Sequence, residues 1–83
     1  MVSNGERFNN LFYGCEALVN LKGIENWDVR KGILFNRMCM ECTSLVDASA
    51  LGNWKFDNAK DLNCMFKRCY NLKNLPKNLE GKV

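Results

Sequence analysis

The feature that most constrains this chain is a repeat of 27 residues that runs through its 83 residues without insertion or deletion. Residues 2–28 and 29–55 are identical at nine of 27 positions, and residues 29–55 and 56–82 at five. The aligned columns include Cys15, Cys42 and Cys69; Leu18, Leu45 and Leu72; and Trp27 and Trp54. We therefore interpret residues 1–83 as one domain of three copies, namely the first (2–28), second (29–55) and third (56–82) copy.

Apolar residues in each copy are spaced as on one face of a helix. In the first copy they are Phe8, Leu11, Phe12, Cys15 and Leu18. Helices are expected to begin near residues 4, 31 and 58, with Ser3 and Glu6 as a capping box and Asp57 or Asn58 as a cap. The Leu-x-x-Leu pattern that follows each column cysteine predicts a short strand. The expected fold is α/β, a short leucine-rich-repeat-like solenoid of helix–strand repeats with a small parallel sheet.

One known family carries a similar pattern. Residues 2–18, with Leu11-Phe12-Tyr13-Gly14-Cys15-x-x-Leu18, and the following Asn26-Trp27-Asp28-Val29 resemble the BspA-type leucine-rich repeats of bacterial and protist surface proteins, which include a mycoplasma-type domain of unknown function. Asn53-Trp54, Met65-Phe66 and Cys69-x-x-Leu72-x-x-Leu75-Pro76 repeat parts of the motif. The resemblance implies a curved solenoid used for adhesion or protein binding, with no catalytic residues.

The residue types argue against catalysis and against a bound cofactor. The chain has no histidine, and its carboxylates are scattered. Cys39-x-x-Cys42, with Cys64 and Cys69, offers four thiols to zinc or a redox pair to chemistry. The repeat explains these cysteines better, because Cys42 and Cys69 share the repeat column and Cys39 replaces a phenylalanine. We expect no enzyme, metal or cofactor, and we expect Cys64 to be an exposed thiol.

Positive charge is concentrated in the last third of the chain. Residues 60–83 hold six basic and two acidic residues, whereas residues 1–59 hold six basic and seven acidic ones. The basic patch consists of Lys67, Arg68, Lys73, Lys77 and Lys82. Clustered cations attract phosphates, so weak nucleic-acid binding is a disfavoured alternative to a solvated charged end.

Two groups of residues are candidates for binding a protein. The second copy has Ile33, Leu34 and Met40 in columns that are mostly polar or charged elsewhere, which indicates either extra packing or, with Tyr13, an exposed apolar patch. The strand face is the other candidate surface, because repeat proteins often bind there. Its expected exposed residues are Asn20, Lys22, Asp47, Ser49 and Asn74.

The sequence therefore predicts a non-enzymatic protein-binding module, specifically a small intracellular inhibitor of a cellular protein encoded by a mobile element. The alternative is an adhesive or structural fragment of a larger cell-surface repeat protein. The first 20 residues lack the apolar stretch of a signal peptide, which favours a cytoplasmic location and no membrane partner. Exposed solenoid ends would also allow a homodimer.

Overall fold

The computed structural model describes residues 6–83, and its regular secondary structure is limited to two short 3₁₀ helices at Ser49–Asn53 and Lys77–Leu79. No α-helix and no β-strand occurs in this part of the chain. The expected helix–strand solenoid with a parallel sheet is therefore wrong, and so are the helices expected near residues 31 and 58. The helix expected near residue 4 and the Ser3 cap begin outside the described residues.

The hydrogen-bond partners of the backbone amides explain why the helices do not form. An α-helix needs each N–H to donate to the carbonyl four residues earlier. Here alternate N–H groups of the first copy donate to carbonyls of the second copy at 2.7–3.2 Å, and the second copy donates to the third at 2.8–3.0 Å. The pairs are Phe8 with Leu34, Asn10 with Asn36, Phe12 with Met38, Gly14 with Met40, Phe35 with Asp61, Arg37 with Asn63, Cys39 with Met65, and Glu41 with Lys67.

Every second donor of these bonds in the first two copies has a left-handed backbone conformation. Two repeat columns hold positive φ angles of 58–72° in every copy, namely Asn10, Arg37 and Cys64, and Gly14, Glu41 and Arg68. Such residues interrupt a right-handed helix. In the second copy, each lies inside a turn in which an N–H donates to the carbonyl three residues earlier: Arg37 in the turn from Phe35 to Met38, and Glu41 in the turn from Cys39 to Cys42. These turns place residues three or four apart on one side, which reproduces the apolar spacing of a helix without its hydrogen bonds.

Isolated parallel bridges, rather than strands, join the copies. One series links Arg7, Leu34 and Asp61, and the other links Asn20, Asp47 and Asn74. The segments expected to be strands are short because tight turns interrupt them, including the bonds from Leu18 N–H to the Cys15 carbonyl and from Ile24 N–H to the Leu21 carbonyl. Each bridge thus pairs single residues of successive copies, with a register of 27.

The core lies mainly in the second copy, which both neighbouring copies cover. Among residues 6–83, nine of the fourteen buried apolar residues belong to it. These nine are Val29, Phe35, Met38, Cys39, Cys42, Leu45, Ala48, Leu51 and Trp54. Aromatic rings stack along the columns, with Phe8 on Phe35 at 5.1 Å and Trp27 on Trp54 at 6.2 Å between ring centroids. The Trp54 indole N–H also donates to the Ile24 carbonyl at 2.9 Å.

Candidate functional site

Four of the five residues predicted for the strand face come together in one surface groove of about 320 Å³. Asn20, Lys22, Asp47 and Ser49 line it. We call this surface the polar groove; its other lining residues are Leu21, Glu25, Ala50 and Asn53. The fifth predicted residue, Asn74, is exposed and bridges to Asp47, but it does not line the groove.

Short turns fix the polar groups of the groove. The Lys22 N–H donates to Asn20 Oδ1 at 3.0 Å, and the equivalent bond in the next copy joins the Ser49 N–H to Asp47 Oδ1 at 2.8 Å. In each case the side chain accepts from the amide two residues later, as in an Asx turn. The repeat column therefore sets both side chains in the same orientation, side by side across the groove.

Two carboxylates in the groove are held in their ionised form. Hydrogen bonds from the Ser49 side chain and backbone lower the pKa of Asp47, and the Lys22 ammonium adds to the effect. Backbone hydrogen bonds from Glu25 itself and from Gly23 lower the pKa of Glu25, again with a contribution from Lys22. The groove thus combines two anionic groups and one cation. Sequence reasoning missed Glu25 and Asn53, because no pattern distinguishes them from other exposed polar residues.

The predicted apolar patch is only partly exposed. Ile33, Leu34 and Met40 are half-buried, and Tyr13 is 45% exposed. Ile33 and Leu34 line a small groove with the charged residues Glu6 and Arg7. The second copy therefore uses these side chains in part for packing between its neighbours, and their role in binding stays a prediction.

The residues of the basic patch are all exposed, and two of them line different grooves. Lys67 lines a groove with Phe66 and Val83, whereas Lys82 lines another with Trp54 and Asn78. Arg68 is paired with Glu41 at 2.9 Å between Nη1 and Oε2. This pair follows from the repeat, since Glu41 and Arg68 share a column. Nucleic-acid binding stays a prediction.

The cysteines have structural surroundings. Cys39 and Cys42 are buried, the Cys42 thiol donates to the Phe12 carbonyl at 3.0 Å, and the Cys69 thiol donates to the Cys39 carbonyl at 2.9 Å. A hydrogen bond with the Cys42 thiol and burial together raise the pKa of Cys39. The prediction that Cys64 is the exposed thiol is wrong: Cys64 is half-buried with φ 59°, and Cys15 is exposed.

Two further findings concern metal sites and membrane-spanning helices. Within residues 6–83, no group of three or more histidine, cysteine or acidic side chains is arranged to hold a metal ion. In the same range, no helix has the length and apolar character needed to cross a membrane.

Comparison with known sequences relates the chain to one family. A family model described as "Mycoplasma protein of unknown function, DUF285" matches residues 1–80. Searches of curated proteins and of solved structures returned no match. The family match confirms the resemblance to BspA-type repeats that the sequence motif carried.

Proposed function

We propose that this chain, which belongs to the DUF285 family of BspA-like mycoplasma proteins, is a protein-binding module without catalytic activity that recognises its partner through the polar groove. The observation that carries this proposal is the convergence of Asn20, Lys22, Asp47 and Ser49 from two copies on one concave surface. Repeat proteins commonly present such surfaces to partners. The family description supplies no function of its own, so the proposal rests on this geometry.

The charges of the groove favour a protein partner. Lys22 lies among the carboxylates of Asp47 and Glu25, which repel polyanions and attract cationic side chains. Both carboxylates are anchored by hydrogen bonds to their own turns, so little side-chain freedom is lost when a partner binds. A protein surface offers ammonium, guanidinium and amide groups at similar spacing. A nucleic acid would have to approach two fixed negative charges.

The proposal is tested by capture from a lysate of the source cell, with three baits of the same length. The first is the natural chain, and the second is the double variant K22Q/D47N. Asp47→Asn keeps an oxygen that accepts from the Ser49 N–H, as Asn20 does for Lys22, so the turn is preserved while one charge of each sign is lost. The third is a matched control, K55Q/D57N, which removes one charge of each sign outside the groove.

A protein retained by the natural chain and by K55Q/D57N, but weakened at least about tenfold by K22Q/D47N, supports the groove as the binding surface. Equal retention by all three baits refutes it. A narrower form of the proposal is that binding takes place in the cytoplasm and inhibits the partner. An activity assay of the captured protein, with and without added chain, tests the inhibition.

Family membership favours a second candidate function, adhesion at a cell surface, because BspA-type repeats are found in surface proteins. The two candidates differ in where the chain is found. Labelling of intact source cells with a membrane-impermeant amine reagent, followed by mass spectrometry, distinguishes them. Modification of Lys22 or Lys55 on intact cells supports adhesion, and modification only after lysis supports the intracellular module.

A further inference from the structure

The two ends of the row of copies are complementary to each other. We infer that the chain associates head to tail with a second copy of itself, with the third copy of one chain packed against the first copy of the next. This interaction uses surfaces other than the polar groove. Three independent features of the described residues point to it: backbone hydrogen bonding, charge and apolar shape.

Open hydrogen-bonding groups line both ends. Within residues 6–83, the N–H groups of Leu62, Cys64, Phe66 and Arg68 have no hydrogen-bond acceptor, although the equivalent groups in the first two copies all donate to the following copy. In the same range, no backbone amide donates to the carbonyls of Arg7, Asn9, Leu11 and Tyr13. Continuing the register of the existing bonds by one copy places these four donors opposite these four acceptors. An unpaired row of this kind is a template for another chain.

Charged side chains at the ends match in the same register. One column contains Glu6, Ile33 and Lys60, and the neighbouring column contains Arg7, Leu34 and Asp61. Continuing the row sets Lys60 of one chain beside Glu6 of the next, and Asp61 beside Arg7. The first copy carries two basic and four acidic residues, and the third carries six basic and three acidic ones, so the ends also attract each other at long range.

Apolar surface is exposed where the next chain would pack. A groove of about 490 Å³ at the third copy is lined by the half-buried Phe66 and Leu75, the exposed Val83 and the buried Met65, together with Cys64 and Lys67. In the second copy, the residues in the columns of Met65 and Phe66 are Met38 and Cys39, and both are fully buried. Leu11 and Phe12 of the first copy occupy those same columns and are only half-buried. Packing them into the groove removes apolar surface from water on both chains.

The exposed Cys15 fits the same arrangement. Its column mates Cys42 and Cys69 each donate to a carbonyl of the preceding copy, from Phe12 and Cys39 respectively. The register directs the Cys15 thiol of a second chain to the Phe66 carbonyl of the first. Because the two contacting surfaces differ, each pair of chains keeps one free end of each kind, so association continues past two chains, to a ring where the rotation between chains closes and to an open series where it does not.

Analytical ultracentrifugation of the 83-residue chain over a range of concentrations tests this inference, with cysteines kept reduced. We expect the weight-average mass to rise with concentration past twice the monomer mass of 9.6 kDa. The variant K60E/D61K, which leaves the net charge unchanged, places like charges at both contacts and should weaken association at least about tenfold. The matched control K55E/D57K exchanges one charge of each sign elsewhere and should associate as the natural chain does.

The decisive variant carries both exchanges, E6K/R7E and K60E/D61K. It restores opposite charges at each contact between chains, so association should return toward the natural strength. A natural chain that stays monomeric overturns the inference. A mass that levels off at a dimer, or a fourfold variant as weak as K60E/D61K alone although folded by tryptophan fluorescence, also overturns it.

Discussion

Gly32 provides a sharp test of how the second copy is packed. It is buried, and a Cβ atom added there would collide with Cζ of Phe35 and lie 2.9 Å from the Val29 carbonyl oxygen. Phe35 cannot move easily, because it is fully buried between the stacked ring of Phe8 at 5.1 Å and the edge-on ring of Phe56 at 5.0 Å. Gly32→Ala should therefore destabilise the fold by overpacking, at about 1–3 kcal/mol.

This cost is large for the chain. A domain of this length has a free energy of unfolding of about 4–12 kcal/mol. A loss of about 2 kcal/mol lowers the melting temperature of a domain of this size by roughly 8–16 °C. Urea unfolding followed by tryptophan fluorescence measures it, since Trp54 packs against both Phe35 and Phe56. Gly52→Ala is the matched control: its added Cβ would meet only Pro76 Cβ at 3.7 Å, and we expect a change within about 1 kcal/mol.

The repeat itself suggests a compensating substitution. Where the second copy has Gly32 and Phe35, the third copy has Ala59 and Leu62. Phe35→Leu alone loses aromatic contacts worth about 0.5–1.5 kcal/mol per pair. The double variant G32A/F35L, however, has room for the new methyl group, so it should be more stable than the sum of the single costs by at least about 1 kcal/mol. Additive costs, or Gly32→Ala as mild as Gly52→Ala, would refute the packing described here.

Two further predictions concern charge and backbone conformation. The Arg30 side chain donates to both carboxylate oxygens of Asp28 at 2.9 Å, and together with the Arg30 backbone N–H it lowers the pKa of Asp28 to about 2. The contribution of this pair to the stability of the fold is present above the ordinary pKa near 3.8 and is lost as the pH falls through about 2. NMR titration of the Arg30→Gln variant should show the pKa of Asp28 returning toward 3.8. Arg37 has a φ of 58°, a conformation that glycine adopts readily and valine does not. In urea unfolding, Arg37→Gly should leave the free energy of unfolding unchanged or raise it by up to about 1 kcal/mol, whereas Arg37→Val should lower it by more than about 1 kcal/mol. Equal stability of the two variants would contradict the left-handed conformation at this position.

Burial could be predicted from the sequence, whereas backbone conformation could not. The apolar spacing correctly selected Phe35, Met38, Cys39, Cys42 and Leu45, which are all fully buried. It did not distinguish a helix from a series of four-residue turns, because both bring residues three or four apart to one side. The distinguishing fact is that alternate amides donate to another copy, and no single copy contains that information.

The columns with left-handed backbone show why the sequence indicated only weakly that the helices are interrupted. Asn10 and Gly14 are residue types that adopt positive φ readily, and in the first copy they indicate a break in the helix. The equivalent residues in the other copies include Arg37 and Glu41, which ordinarily favour helices. Contacts between copies therefore override local preference at these positions.

The candidate site was predictable where the repeat register fixes it. Asn20 and Asp47 share a column, so their side-by-side placement in the polar groove follows from the alignment. The basic residues were grouped by their nearness in sequence instead, and the fold separates Lys67 from Lys82. Exposure of Cys15 was missed because its column is buried in the second copy, although a residue of the first copy has a neighbour on one side only.

The position of a copy in the row therefore determines how its column residues are used. Ile33 and Leu34 occupy columns in which the first copy has Glu6 and Arg7 and the third has Lys60 and Asp61. Ile33 and Leu34 lie between two neighbouring copies, are half-buried and contribute in part to packing. At the same positions of the end copies, Glu6, Arg7 and Lys60 are exposed and Asp61 is half-buried, and all four carry charge. Those charges are opposite in sign at the two ends in both columns, and simple solubility does not require that arrangement. Pairing between the third copy of one chain and the first copy of another accounts for it.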